Sequence, residues 1–227
     1  SNNTRKDLSK FLPNIDKQKI KTIYISSEES FFKIKDLNSI MKYDEFKSLY
    51  NKKIILFVGT RKKSYKNFSL TLDIVSSMEG YTLVSVGPDN ITKYEKKLIT
   101  KKLKGKFYHF TNINSAKLNQ LYNLSFCLLY PSTYEGFGIP ILEAMKAGCP
   151  VISTNKSSIP EVAGSSAILI DEIKKETFIK AIKSLNEKNL RRKLIYKGLL
   201  QAKKFSWDRC FKETTEFYSK IYKKKFN

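Results

Sequence analysis

Two acids and two cations have the types and spacing to do chemistry in this chain: Glu135 with Glu143, and Arg61 with Lys66. The acids frame the string Glu135-Gly136-Phe137-Gly138-Ile139-Pro140-Ile141-Leu142-Glu143. Gly136 and Gly138 strip side chains from the backbone. Pro140 suits the first turn of a helix, where its missing N–H has no bond to lose. Free N–H groups at such a start attract anions, and a glycine loop lets phosphates come close. Glu143 falls one turn inside that helix and Glu135 on its rim, so the two acids can bracket one phosphate-bearing ligand. The same residues also suit a plain strand-to-helix turn with two solvated acids. Arg61 and Lys66 face each other across a short loop. They offer a planar fork and a point charge to a diphosphate. Lys62 and Lys63 between them read equally well as solvated charges. Arg61, one of only five arginines, reads as functional.

These groups need a scaffold to bring them together. Apolar runs at 53–59, 81–86, 107–110, 126–130, 150–153 and 167–170 read as strands. The first is apolar at successive positions, the mark of a strand buried on both faces. Helical spacing occupies 67–78, 92–103, 115–124 and 139–147, the last stopping at Gly148. Further helices are expected at 174–185, 189–205 and, after a Ser206 cap, 207–222. Its apolar side is Trp207, Phe211, Phe217 and Tyr218. At the front, residues 1–20 read as a helix ended by Pro13 and a turn, and 22–26 as a short alternating strand. Residues 27–52 are polar and irregular, with a short helix at 44–50. Strands alternating with helices imply an α/β fold, a Rossmann-like doubly wound parallel sheet of about six strands with extra C-terminal helices.

Ligands of open α/β sheets bind outside the carboxyl ends of the strands. The candidates collect at those ends: Gly59, Thr60, Arg61 and Lys66 after the first strand, Gly87-Pro88 after the second, and Thr111-Asn112-Ile113 after the third. Ser132 and Glu135 follow the fourth. Ser157, Ser158, Pro160 and Glu161 follow the fifth.

Bulk composition removes several function classes. The chain has 227 residues, 41% of them hydrophobic, enough for one large or two small domains. No window approaches the 18 or so apolar residues of a membrane span, and no signal-peptide pattern is visible. The three cysteines, Cys127, Cys149 and Cys210, are widely spaced, which suits reduced thiols in a cytosolic protein. The net charge of +22 comes almost wholly from lysine. Nucleic-acid readers favour arginine and stacked aromatics, and neither pattern is present, so no nucleic-acid partner is expected. Such a surface is drawn to anionic lipid or polyphosphate, although a compositional habit of the source explains it equally well. No H-x-x-x-H, C-x-x-C or Asp-x-Asp cluster appears, so no protein-bound metal is expected. His109, the single histidine, falls inside a strand and reads as filler rather than as a catalytic base.

The glutamate string, followed by Ala144-Met145-Lys146-Ala147-Gly148-Cys149-Pro150-Val151-Ile152, resembles the E-x7-E signature of family 4 glycosyltransferases, which are retaining sugar transferases of the GT-B fold. The resemblance runs from about Ile54 to about Ile170 and covers that family's C-terminal, donor-binding domain. It implies a nucleotide-sugar donor, bound without covalent attachment or metal. Glu143 then meets the ribose hydroxyls, and Glu135 faces the donor sugar. Backbone N–H groups of Gly136, Phe137, Gly138 and Ile139 meet phosphate or sugar. Arg61 and Lys66 bind the diphosphate beside Gly59, and Ile113 borders the base. Glu161 matches the family's G-G-x-P-E, with Ser157-Ser158 where glycines are usual.

By the same resemblance, residues 1–20 are a remnant of the N-terminal domain and its crossover. Residues 21–205 are the nucleotide-sugar domain, and 206–227 the helix that returns to the N-terminal domain, most of which is expected to be missing. Val58-Gly59-Thr60-Arg61 with Tyr65-Lys66-Asn67-Phe68 is most similar to bacterial polysaccharide mannosyltransferases. That places GDP-mannose ahead of a UDP-sugar and implies a polysaccharide or lipid-linked glycan acceptor. The enzyme would be cytoplasmic or peripheral at the inner face of the membrane. Two alternatives stand beside this reading. One is a nucleotide-sugar 2-epimerase of the same fold, which needs further acids and a histidine. The other is a non-catalytic basic module for anionic polymer or membrane.

Overall fold

Strand β1 (Lys53–Val58) is the axis of the structure. From Ile54 to Phe57 every side chain is at most 1% exposed, because both faces of the strand are covered. In this computed structural model, which describes residues 1–37 and 44–226, β1 pairs in parallel with β2 (Tyr81–Val86) on one side and β4 (Cys127–Tyr130) on the other. β3 (Phe107–Phe110), β5 (Val151–Thr154) and β6 (Ile168–Ile170) complete a six-stranded sheet in the order β3-β2-β1-β4-β5-β6. Residues 38–43, within the polar run expected at 27–52, lie outside the described residues. A six-residue 3-10 helix, Asp44–Leu49, stands where a short helix is expected.

Alternation along the strands sorts the core into two layers. Ile54, Leu56 and Val58 join Val84, Val86, Leu128 and Tyr130 on one face. They meet α4 (Ser115–Leu124), α5 (Ile139–Lys146) and α6 (Ile159–Ala163). Ile55, Phe57, Leu83 and Leu129 face the other way. They meet α2 (Phe68–Ser76), α3 (Lys93–Leu103) and α7 (Lys175–Ser184). Helix α8 (Lys188–Ala202) reaches both layers, through Leu194 and Ala202. The strand order reverses between β1 and β4, which opens a crevice at their carboxyl ends.

Two elements depart from expectation, the segment 22–26 and helix α6. Residues 22–26 form no strand. Tyr24 instead packs on Phe137 and Phe205, at 6.1 and 5.7 Å between ring centroids, and Ser26 Oγ donates to the Phe205 carbonyl. Adjacent residues Tyr24 and Ile25 both pack on the core in this unpaired segment, so the alternation of residue types in the sequence did not report a strand. Helix α6 is only five residues long, too short to show a period, and was not anticipated. Helix α1 (Asn2–Phe11) ends before Pro13 as expected, but its apolar residues Phe11 and Leu12 are exposed. The last helix, α9 (Trp207–Phe226), likewise exposes Trp207, Phe211 and Tyr218, while Phe217 is half-buried.

Candidate functional site

The loops after β1 and β4 are stitched together at the crevice. A 3-10 turn, Ser64–Lys66, leads into Asn67, whose left-handed backbone (φ 54°) redirects the chain into α2. Asn67 Nδ2 donates to the Pro131 carbonyl at 2.8 Å, and Thr133 N–H to the Tyr65 carbonyl at 2.9 Å. Lys66 is thereby turned inward. Its ammonium donates to Glu135 Oε1 at 2.6 Å and to Tyr130 Oη at 2.9 Å, and lies 4.8 Å from the Tyr130 ring centre. The Lys66 and Glu135 side chains are only 11% and 12% exposed. Burial holds the Tyr130 phenol well above its usual range, so it remains a neutral partner.

The glycine loop is held from below by two hydroxyls. Glu135 N–H donates to Ser157 Oγ at 2.8 Å, and Ser158 Oγ donates to the carbonyls of Glu135 and Phe137 at 2.8 and 3.0 Å. Gly138 then takes φ 106°, a conformation that disfavours side chains, and α5 begins with Ile139-Pro140. Glu143, one turn on, accepts from Tyr122 Oη at 2.8 Å. Burial pushes its carboxyl up to about 7, the Tyr122 hydrogen bond works against that, and the negative charge of Glu28 adds to it. Ile113 is half-buried against the same core layer, near the start of α4.

Arg61 is placed differently from the expected open fork. Its side chain is 0% exposed. Nη2 donates to the Asp89 and Asn90 carbonyls at 2.8 and 3.2 Å, Nε to Glu95 Oε1 at 3.3 Å, and Nη1 lies 2.8 Å from His109 Nε2. Its guanidinium stacks over Phe68, in the core layer opposite the one that holds Tyr130. The structure thus brings Lys66 to Glu135 but sends Arg61 to the loop between β2 and α3. Three features explain this: the Asp89 carboxylate that accepts from Thr60 Oγ1 and Arg61 N–H, the Thr92–Glu95 capping box of α3, and His109. Burial holds the His109 imidazole below its usual range, and the Arg61 charge adds to this.

The Glu161 carboxylate, expected at the site, caps helix α1. Its two oxygens accept from Asn3 and Asn2 N–H, both at 2.7 Å, and Tyr24 Oη donates to it at 2.9 Å. Thr4 Oγ1 donates to the Gly136 carbonyl, and Tyr134 Oη to Asp7. Helix α1 is therefore fastened across the glycine loop. Sequence reasoning missed Tyr122 and Tyr130 as site partners. Both read as core residues, and nothing in the spacing tells where a buried phenol's hydroxyl ends. No group of three possible metal ligands occurs among the described residues.

Residues 42–201 match the family model described as glycosyl transferases group 1. The chain belongs to this family. Among similar proteins, O-antigen chain mannosyltransferase B of Escherichia coli is 41% identical over 102 residues, covering 44% of this chain and 27% of that protein. O-antigen chain mannosyltransferase RfbU of Salmonella typhimurium is 28% identical over 178 residues, covering 77% and 46%. The chain thus spans less than half the length of these relatives. The structure of Anabaena HepE in complex with UDP-glucose superposes with a TM-score of 0.78 at 18% identity, over 92% of this chain and 60% of that one. At that identity the likeness establishes the shared GT-B fold. The six-stranded parallel sheet is the Rossmann-like domain of this group 1 glycosyl transferase family member. In this group 1 chain the serines at 157 and 158, where the family pattern has glycines, are the two hydroxyls that hold the Glu135 loop.

Proposed function

We propose that this chain is the donor-binding half of a retaining hexosyltransferase that takes a nucleotide-diphospho-sugar and passes the hexose to a polysaccharide or lipid-linked glycan. One observation carries the reading. Lys66 and Glu135 meet over Tyr130 at the reversal point of the sheet, beside the helix that bears Glu143. In this reading Lys66 and the N–H groups from Gly136 to Ile139 receive the diphosphate near Gly59. Glu143 receives the ribose, Ile113 borders the base, and Glu135 faces the sugar. There its charge matters most as positive charge develops on the ring. Arg61 acts by locking the Gly59–Lys66 loop rather than by touching phosphate. GDP-mannose is the first candidate donor because the relatives above are named mannosyltransferases. A UDP-sugar is the second because HepE is seen with UDP-glucose.

The acceptor is assigned to a second domain, with residues 1–20 and 206–227 as the crossover segments around the 21–205 donor domain. An anionic membrane surface is a further proposed partner of the lysine-rich exterior. A 2-epimerase calls for a histidine at the site, and His109 is held under Arg61 instead. Calorimetric titration with GDP, UDP and their sugar derivatives tests the proposal. Saturable binding that survives physiological salt and is lost in Lys66→Ala supports it. Absence of binding by every nucleotide overturns it.

A further inference from the structure

We infer that Tyr122 is a positioning residue for nucleotide recognition, its buried phenol holding the Glu143 carboxylate in place to receive a ribose diol. The inference rests on the donor-site reading above and deepens it. Tyr122 lies in α4, on a different element from Glu143, and is fully buried, with its ring edge-on to Phe31 at 5.9 Å. A ring so enclosed has no freedom to follow a moving carboxylate. Its one polar atom ends on Glu143 Oε2. Among the described residues this phenol is the one hydrogen-bond donor to that carboxylate, and Oε1 is left to accept from a ligand.

Of the nearby charges, Lys146 also favours the charged carboxylate through space, but its ammonium makes its hydrogen bonds elsewhere. Lys146, on the same helix, spends its ammonium on the Ser27 carbonyl at 2.9 Å and lies 3.4 Å from Ser26 Oγ. Glu28, on the segment that packs over α5, is a like charge and opposes ionisation of Glu143. Glu29 acts on Lys146. Tyr122 is therefore the group that both aims the carboxylate and favours its charged form. The charged form offers both oxygens as pure acceptors, whereas the protonated form turns one of them into a donor. Burial and Glu143 hold the Tyr122 phenol far above neutrality, so it is a fixed, neutral donor throughout the working range.

The test is a pH series of binding titrations with GDP and UDP, each beside its 2′,3′-dideoxy analogue. The analogue keeps the phosphates, whose own titration near pH 6 would otherwise confuse the profile, and lacks the diol. Wild-type affinity for the ribose nucleotides should fall as the pH drops through about 7, where Glu143 takes up its proton. Tyr122→Phe should move that midpoint upward by about one pH unit and, with the carboxylate no longer aimed, weaken ribose-nucleotide affinity at alkaline pH by about threefold to tenfold. The dideoxy analogues should show no midpoint that depends on Tyr122. Glu143→Gln should remove the ribose-dependent limb in both backgrounds. If Tyr122→Phe does not fold, Glu143→Asp withdraws the carboxylate from the phenol while keeping its charge. It should then lose affinity at alkaline pH for ribose nucleotides only, and equal loss for the dideoxy analogues overturns the inference. If neither nucleotide binds the wild type, the donor-site reading fails and takes this inference with it. If both bind and the midpoint stays put in Tyr122→Phe, this inference alone is overturned.

Discussion

Lys66 and Glu135 form a 2.6 Å ion pair across two loops, so the cation proposed for the diphosphate is already neutralised by the acid proposed for the sugar. In the proposed reading a diphosphate arriving at Lys66 competes with that carboxylate for the ammonium, and losing the pair would free Glu135 to turn toward the hexose. Tyr130 Oη also accepts from the Lys66 ammonium, at 2.9 Å, and is a second anchor for it.

Removing the internal competitor should therefore help the bare nucleotide. Glu135→Gln should tighten GDP or UDP binding by roughly two- to tenfold, about 0.4–1.4 kcal/mol. Lys66→Ala loses a charge-assisted hydrogen bond worth roughly 1.5–3 kcal/mol, on the order of ten- to a hundredfold in Kd. In the two-domain enzyme Glu135→Gln should still cut transfer severely, because the lost charge serves the transition state. Calorimetry with the two nucleotides checks the binding half. Weaker binding by Glu135→Gln would remove the exchange from the mechanism.

Arg61 should behave as a structural cation. Arg61→Lys keeps the charge but loses the fork that reaches Asp89, Asn90 and Glu95 together. Leaving those buried acceptors unmet should cost about 2–4 kcal/mol, read as a lower urea midpoint, with nucleotide affinity of the folded protein changed less than about tenfold. Unchanged stability with abolished binding would return Arg61 to the phosphate.

How far the sequence reached differs between backbone and side chain. The strands at 81–86 and 107–110 and the helix at 115–124 fall where the apolar periods put them, because burial on a sheet or a helix face leaves a regular imprint. The glutamate string was legible because glycine frees the backbone and proline restricts it, whatever surrounds them. Arg61 was not legible in the same way. Its loop position is a local fact, but its direction depends on Asp89, Glu95 and His109, which arrive from the β2–α3 loop, α3 and β3. The same holds for Glu161, whose partner helix α1 lies more than 150 positions away in the chain. A scarce arginine beside a glycine announces that it matters, without saying whether it matters to a ligand or to the fold.

Gly87 marks a second constraint on the same loop. A Cβ placed there would lie 2.3 Å from the Gly59 carbonyl oxygen, a backbone atom with no freedom to retreat. Gly59 N–H is itself bonded to the Val86 carbonyl at 2.8 Å, so the two strand ends are in direct contact. Gly87→Ala should destabilise by about 1–3 kcal/mol and displace Gly59, over which the Lys66 side chain passes. Thermal unfolding should show the loss, and calorimetry a weaker nucleotide affinity. Full stability and full affinity would mean that the β1 and β2 ends can part without consequence.

Glu143 should carry a stability cost that pH reveals. Its carboxyl lies near 7 in the folded chain against an ordinary value of 4.5, chiefly through burial. Below the unfolded value both states hold the proton, and no cost arises. Between the two values the unfolded chain releases its proton while the folded chain keeps it, so stability falls as the pH rises. Above about 7 the buried charge is present in full, and the cost levels off at roughly 3 kcal/mol, one pKa unit being about 1.4 kcal/mol. Glu143→Gln keeps the shape and can still accept from Tyr122, but never ionises. It should therefore be more stable than the wild type at alkaline pH by up to that amount, with the advantage gone at pH values below the unfolded pKa. Urea unfolding of both proteins at an acidic and an alkaline pH measures the difference directly. An equal gap at both would show that Glu143 is not charged in the folded chain in the way described.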